Sequence, residues 1–246
     1  MNTLTTSFVR RLRDRDEAAW FELWEVFGPV LRAQLSKWGR GRIGVETVRD
    51  LTQETLAALS DSIERYDPSR GARFSTWLLS IAKHALGDEM DRRMALKRGG
   101  GRRPNEFDER FVASAAKVEA DDVYQKNVFQ AKVYAAIRKA EAEADFMQFS
   151  VYRMRVFDGT AGKDVAEQLG ISEPTVSRYL QKVRDLLRRR VSESVATYSF
   201  TAEEEAEAER AGLGGDDGMF DEALSEIYHQ QSRLILEEDA GASQRF

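Results

Sequence analysis

An all-α fold is predicted for this chain, on three features that agree. Apolar residues recur at threes and fours through most of the sequence, the spacing that places them on one face of a helix. No Asn-Gly or Asp-Gly pair joins two alternating runs as a hairpin would; Asp158-Gly159 and Asp217-Gly218 both fall between helical patterns. The four prolines, Pro29, Pro68, Pro104 and Pro174, read as punctuation.

The first segment runs from about Ser7 to Arg98. Its opening helix carries Phe8, Leu12, Trp20, Leu23, Trp24, Phe27, Val30, Leu31 and Leu35. A second helix, about Val45 to Tyr66, sets Val48, Leu51, Thr55, Leu59 and Ile63 on one face. The third is expected to start at Ser75 as N-cap, with Phe74 and Leu79 as a hydrophobic staple. It continues through Leu78, Ile81, Ala82 and Ala85 to the basic pair Arg92 and Arg93. Lys97 to Pro104 reads KRGGGRRP, and three glycines among bare charges cannot hold a helix, so a linker opens here. Order is expected to resume after about Phe107. The second segment, Val123 to about Val195, holds helices broken near Asp158-Gly159 and Gly170. The stretch TAEEEAEAERAGLGGDDG then reads as a weak helix and a flexible hinge. A last amphipathic helix, Phe220 to about Leu236, carries Phe220, Leu224, Ile227, Tyr228, Gln231, Leu234 and Ile235. The expected domains are residues 1–96, a linker 97–122, residues 123–195, and an acidic extension 196–246.

Composition narrows the function. The chain has 246 residues, 42% of them hydrophobic and 32% charged, enough for two small helical cores with much exposed surface. With no cysteine, disulfides and thiolate metal sites are excluded. His84 and His229 stand far apart and form no ligand pair, so neither a metal nor a cofactor is expected. The N-terminus has basic residues without a signal-peptide apolar stretch, and no run approaches the ~20 apolar residues of a membrane span. A cytoplasmic protein without membrane insertion is the expectation. The net charge of −5 hides an asymmetry: from Val191 onward there are 3 basic and 14 acidic residues, and before it 34 basic and 28 acidic. A basic body with an acidic tail suits a nucleic-acid binder whose tail screens the basic surface, and equally a solubilising tail.

The strongest motif is KDVAEQLGISEPTVSRYLQKVRDLLRRR, which fits a helix-turn-helix. Ala166 is the small residue where the helices cross, and Gly170 can take positive φ in the turn. Leu169, Ile171, Val176 and Leu180 lock the second helix. Ser172 is its N-cap, and Pro174 sits in the first turn, where a missing N–H costs nothing. The exposed face is expected to offer Glu173, Thr175, Ser177, Arg178, Gln181, Lys182 and Arg184 to base edges and phosphates. A helical hairpin with a solvated charged face is the plain alternative.

In the first segment, Asp50, Gln53 and Glu54 share a helix face at spacings i, i+3 and i+4. With no pocket histidine, metal partner or nucleophile motif beside them, catalysis has no support and the protein is not expected to be an enzyme. A solvated face and a docking face for a basic partner both remain. Tyr66-Asp67-Pro68-Ser69-Arg70-Gly71 forms a turn. Arg73, Phe74 and Trp77 follow, then Lys83, His84, Arg92 and Arg93. Aromatics among cations suit unstacked bases on rings with phosphates along the cations, though Phe74 and Trp77 also read as core.

Taken together, these motifs resemble the extracytoplasmic-function (ECF) sigma factors of bacterial RNA polymerase. The matching features are Asp50, Gln53-Glu54, Tyr66-Asp67-Pro68, Phe74-Ser75-Thr76-Trp77-Leu78 and Asp88 to Arg92-Arg93, followed by the helix-turn-helix. The resemblance implies sigma region 2 in the first segment and region 4 in the second. It implies that Asp50, Leu51, Gln53 and Glu54 dock on core polymerase, at the β′ clamp helices. Asp67, Ser69, Arg70, Gly71, Arg73, Phe74, Trp77, Lys83, Arg92 and Arg93 would then contact the −10 element. Pro174, Thr175, Ser177, Arg178, Gln181 and Lys182 would read the −35 element. The partners implied are the β and β′ subunits and promoter DNA, with an anti-sigma factor or other regulator left open. Two departures stand out: Lys83-His84 replace a frequent Arg-Asn, and the acidic extension lies outside the common core. The extension is read as regulatory, with Phe220, Leu224, Ile227, Tyr228, Leu234 and Ile235 docking on the body in cis or on a partner in trans. The alternative to a sigma factor is a stand-alone helix-turn-helix regulator, and a scaffold protein working through its tail helix is a further rival.

Overall fold

The computed structural model describes residues 3–67, 73–97 and 122–243, with side chains excepted at 97 and from 235 onward. Every regular element among these residues is helical. The chain divides into two compact units, residues 1–128 and 129–246. The division falls inside one helix, and the acidic extension belongs to the second unit. No helix among the described residues is long and apolar enough to cross a membrane.

Unit 1 begins with α1 (Thr3–Arg13) and α2 (Glu17–Gly39), two helices where one was expected. The break has a local cause. Arg15 takes φ 57°, and Asp16 caps α2 by accepting from Ala19 N while Arg11 Nε donates to its carboxylate at 2.9 Å. Helix α3 (Val45–Ser62) ends earlier than expected, and a 3-10 turn (Ile63–Arg65) finishes it. Helix α4 (Phe74–Lys97) starts at Phe74, and Trp77 N bonds to Arg73 O, so Ser75 is not the cap. Its hydroxyl is instead buried and donates to Gln125 Oε1 at 3.0 Å.

Helices α2, α3 and α4 pack pairwise. The inward face of α3 carries Leu51, Thr52, Thr55 and Leu59, all essentially inaccessible. The two threonines fit because their hydroxyls donate back along the helix, to Val48 O and Leu51 O, each at 2.6 Å. Tyr66 stacks on Trp77 with centroids 4.9 Å apart, and Phe74 meets the edges of Phe27 and Tyr66.

Unit 2 is built on α5 (Asp122–Glu143), whose later turns belong to it, then α6 (Phe146–Tyr152) with a π-helical turn (Arg153–Phe157). Helices α7 (Gly162–Leu169) and α8 (Glu173–Tyr198) follow, then the short α9 (Ala202–Glu205) and α10 (Glu207–Arg210), and finally α11 (Asp217–Ser243). One core joins Val133 and Ile137 of α5, Tyr152 and Phe157, Val183, Leu187 and Val191 of α8, and Phe220, Leu224 and Ile227 of α11. Burying a side chain of this size contributes about 1.5–3 kcal/mol, so α11 is held by several such terms. Tyr228 is half-buried and stacks on Phe157 at 4.1 Å. Leu234 lies on the exposed side, contrary to the expected stripe, and Gln231 is the last buried residue among the described side chains. Ile235 lies outside the described side chains.

Of the expected flexible hinge, residues 212–218, the part before α11 is a packed turn, and Asp217 already opens that helix. Leu213 is buried in the core, and Arg188 Nη2 donates to Gly215 O at 3.0 Å. A buried ion pair completes the unit: Lys132 Nζ meets Glu204 Oε1 at 3.1 Å, with both side chains at most 2% exposed. Glu204 Oε2 also accepts from Phe200 N and Thr201 N, closing a capping box on α9.

Candidate nucleic-acid interface

The helix-turn-helix follows from local chemistry. Gly170 ends α7 in the left-handed region at φ 64°, with its N–H returned to Glu167 O. Two residues later Ser172 caps α8, accepting from Thr175 N at 3.3 Å, and Pro174 occupies the first turn. Val151, Val165, Ala166 and Val176 form the small core where α7 crosses α8, with Leu169 and Ile171 against it. Leu180 packs on the larger core instead.

That crossing leaves one stripe of α8 outward. Pro174, Ser177, Arg178, Gln181 and Lys182 are exposed and Thr175 is half-exposed. Arg178 is folded along the helix, donating to Pro174 O at 3.3 Å and Thr175 Oγ1 at 3.1 Å. Glu173 is exposed beside them. Arg184 does not join the stripe: it is buried, and its guanidinium bonds both oxygens of Asp221 at 3.1 and 2.7 Å and Asp217 Oδ2 at 3.0 Å. Those bonds, led by Asp221 and opposed by burial, raise its pKa above the ordinary arginine value. Arg188 is drawn the same way, to Asp217 Oδ1 at 3.2 Å and over the Phe220 ring at 4.2 Å. Sequence reasoning missed this network because both aspartates lie in the extension. Their i, i+4 spacing was the one visible sign.

On unit 1, Asp50, Gln53 and Glu54 share the outward face of α3, all exposed. Leu51 is not part of that face. It is buried, because a step of one residue along the helix turns its side chain off that face.

The expected −10 set is only partly at the surface. Phe74 and Trp77 are core residues, 0% and 5% exposed, and present no ring face to a base. Arg73 donates to Gln125 Oε1 at 3.3 Å, while Asp67 and Lys83 are exposed. Ser69, Arg70 and Gly71 lie outside the described residues. Arg92 and Arg93 converge on the buried carboxylate of Glu89, at 2.7 and 2.5 Å from their Nε atoms. Arg93 also donates to Arg42 O at 2.9 Å and Thr47 Oγ1 at 2.8 Å, tying the end of α4 to the start of α3. Burial opposes the charge on Glu89, but the two arginines outweigh it and hold its pKa below the usual carboxylate value.

With this geometry in place, comparison with known proteins bears on both units. Residues 23–95 match the family Sigma-70 region 2, and residues 148–187 match Sigma-70, region 4. Over 188 residues the chain is 27% identical to the ECF RNA polymerase sigma factor RpoE of Cereibacter sphaeroides, covering 76% of this chain and 94% of that relative. No solved structure matches. Region 2 precedes region 4 along the chain, and the matched residues carry the carboxylate face of α3 and the helix-turn-helix. The chain belongs to the extracytoplasmic-function sigma factors, which engage core RNA polymerase and promoter DNA to direct promoter-specific initiation of transcription.

Proposed function

We propose that the exposed face of α3 is the polymerase dock and the outward stripe of α8 the −35 reader. The observation that carries this reading is the pairing, in one chain, of two outward faces with opposite chemistry. Asp50, Gln53 and Glu54 suit a basic partner surface, such as the clamp helices of the β′ subunit. Arg178, Gln181 and Lys182 suit base edges and phosphates. Strand separation at the −10 element falls to the turn from Asp67 to Arg73 with Lys83, while Phe74 and Trp77 belong to the core. Arg92 and Arg93 serve as a clamp on Glu89 more than as strand contacts.

In this reading the extension is a standing part of the −35 domain and not a removable inhibitor. Inhibition by occlusion would require α11 to cover the α8 stripe, yet the stripe is exposed with α11 docked. An anti-sigma factor would act from outside this unit.

Reconstitution tests the docking assignment. The double variant Asp50→Lys, Glu54→Lys should lose core polymerase in a pull-down, and should yield no promoter-specific run-off transcript, while its circular dichroism stays that of the parent. Normal core binding by the folded variant would sink it. A stand-alone regulator, in contrast, would bind its operator without polymerase.

A further inference from the structure

Gln181 is gripped at both ends of its amide. Its Oε1 accepts from Arg184 Nη1 at 2.8 Å, and its Nε2 donates to Asp185 Oδ1 at 2.9 Å. A glutamine amide has two N–H donors and an oxygen with two lone pairs. One N–H and one lone pair are therefore still available on an exposed residue. That is the pair an adenine edge requires in the major groove, the N–H for N7 and the oxygen for the N6 amino group. A freely rotating amide would offer the two in either order. Held as it is, Gln181 offers one order only, and the cost of ordering it at the moment of binding falls.

Arg184 can hold Gln181 because it is itself immobilised. Asp221 takes its fork with both oxygens, and Asp217 takes a further N–H. From the other side Tyr152 donates its hydroxyl to Asp221 Oδ1 at 2.8 Å, which fixes the carboxylate. Tyr152 is fully buried, and its pKa is pushed far up by that burial and by the neighbouring Asp221 charge, so it remains a donor. The relay runs from the C-terminal helix to the recognition stripe: Asp221 to Arg184 to Gln181.

We propose that Asp221 is a positioning residue for promoter recognition, fixing Gln181 through Arg184 as the reader of one adenine in the −35 element. The inference rests on the reading of the α8 stripe as the −35 reader, and the two can fail separately.

The test uses full-length chain in holoenzyme with core polymerase, selecting from double-stranded promoter fragments randomised across the −35 region. The parent should enrich adenine at one position, and Gln181→Ala should flatten that position alone. Asp221→Asn should cut the preference there by roughly fivefold or more, the discrimination of one good bidentate contact, leaving the other positions as in the parent. Asp221→Glu should retain part of it. Should Asp221→Asn not fold, Arg184→Lys decides: it keeps a cation against Asp221 but lacks the fork that also reaches Gln181, and should flatten the same position. Weaker binding at all positions equally would mark a merely structural role and overturn the proposal. So would an intact adenine preference in folded Asp221→Asn when Gln181→Ala has lost it. If the parent enriches no −35 sequence, or Gln181→Ala and Arg178→Ala change nothing, it is the reading of α8 that fails.

Discussion

Unit 1 and unit 2 each hold a pair of arginines against carboxylates, and they recruit the acid from opposite distances. At the end of α4, Arg92 and Arg93 close on Glu89, three and four residues back on the same helix. On α8, Arg184 and Arg188 close on Asp217 and Asp221, brought 29 to 37 residues along the chain by the extension. The first clamp is a property of one helix turn and forms whenever α4 forms. The second exists only when α11 is docked. A basic residue near a DNA-binding surface is therefore not automatically a DNA contact, and what removes it from the surface can be local or distant.

The contrast breaks most visibly at the buried pair that anchors the extension. Glu204→Ala should destabilise unit 2 by about 3–5 kcal/mol, because it removes one partner of a buried ion pair. All four tryptophans, Trp20, Trp24, Trp38 and Trp77, lie in unit 1. In a urea titration the tryptophan fluorescence transition should stay where it is in the parent, while part of the far-ultraviolet ellipticity is lost at lower urea. Coincident, equally shifted transitions would show that the clamps do not belong to separable units.

A smaller effect is expected on the local side. Glu89→Gln should cost unit 1 about 1.5–3 kcal/mol, the range for hydrogen bonds to charged groups, and here the tryptophan signal should move. The same carboxylate sets an acid dependence. Its folded pKa lies below the ordinary 4.5, so its contribution is complete above that value and disappears as pH falls through the depressed one. The stability gap between parent and Glu89→Gln should therefore narrow in acid, and a gap that widened there would reverse the assignment.

Least of all should come from Arg188→Ala, which removes the stacking over Phe220, one partly exposed ion pair and the bond to Gly215 O. About 0.5–2 kcal/mol of unit 2 stability is at stake, measurable as a small shift in the ellipticity transition with fluorescence unmoved.

What could be read in advance followed the range of the forces involved. The helix-turn-helix was legible because Gly170, Ser172 and Pro174 act on their own neighbours. The outward face of Asp50, Gln53 and Glu54 was legible from helical spacing. Spacing also put Leu51 inside, but the resemblance drew it into the docking set. Phe74 and Trp77 were ambiguous because their burial depends on Phe27 and Tyr66 arriving from other elements. The bond between Lys132 and Glu204 spans 72 residues and leaves no periodic trace. The glycine-rich turn at 212–218 looked loose by composition, and only the burial of Leu213 against the core reveals it as packed.

The shared core of α8 and α11 also has a consequence for the order of events at the ribosome. Val191 and Ile227 belong to one cluster, yet the second is added 36 residues after the first. At about 5–20 residues per second that is an interval of roughly two to seven seconds. During it the recognition helix has emerged with Val183, Leu187 and Val191 still lacking their last partners, and Arg184 still lacking its aspartates. A nascent chain thus displays its helix-turn-helix before it can hold Gln181 in place, and synthesis itself separates a chain that can touch DNA from one prepared to discriminate between sequences.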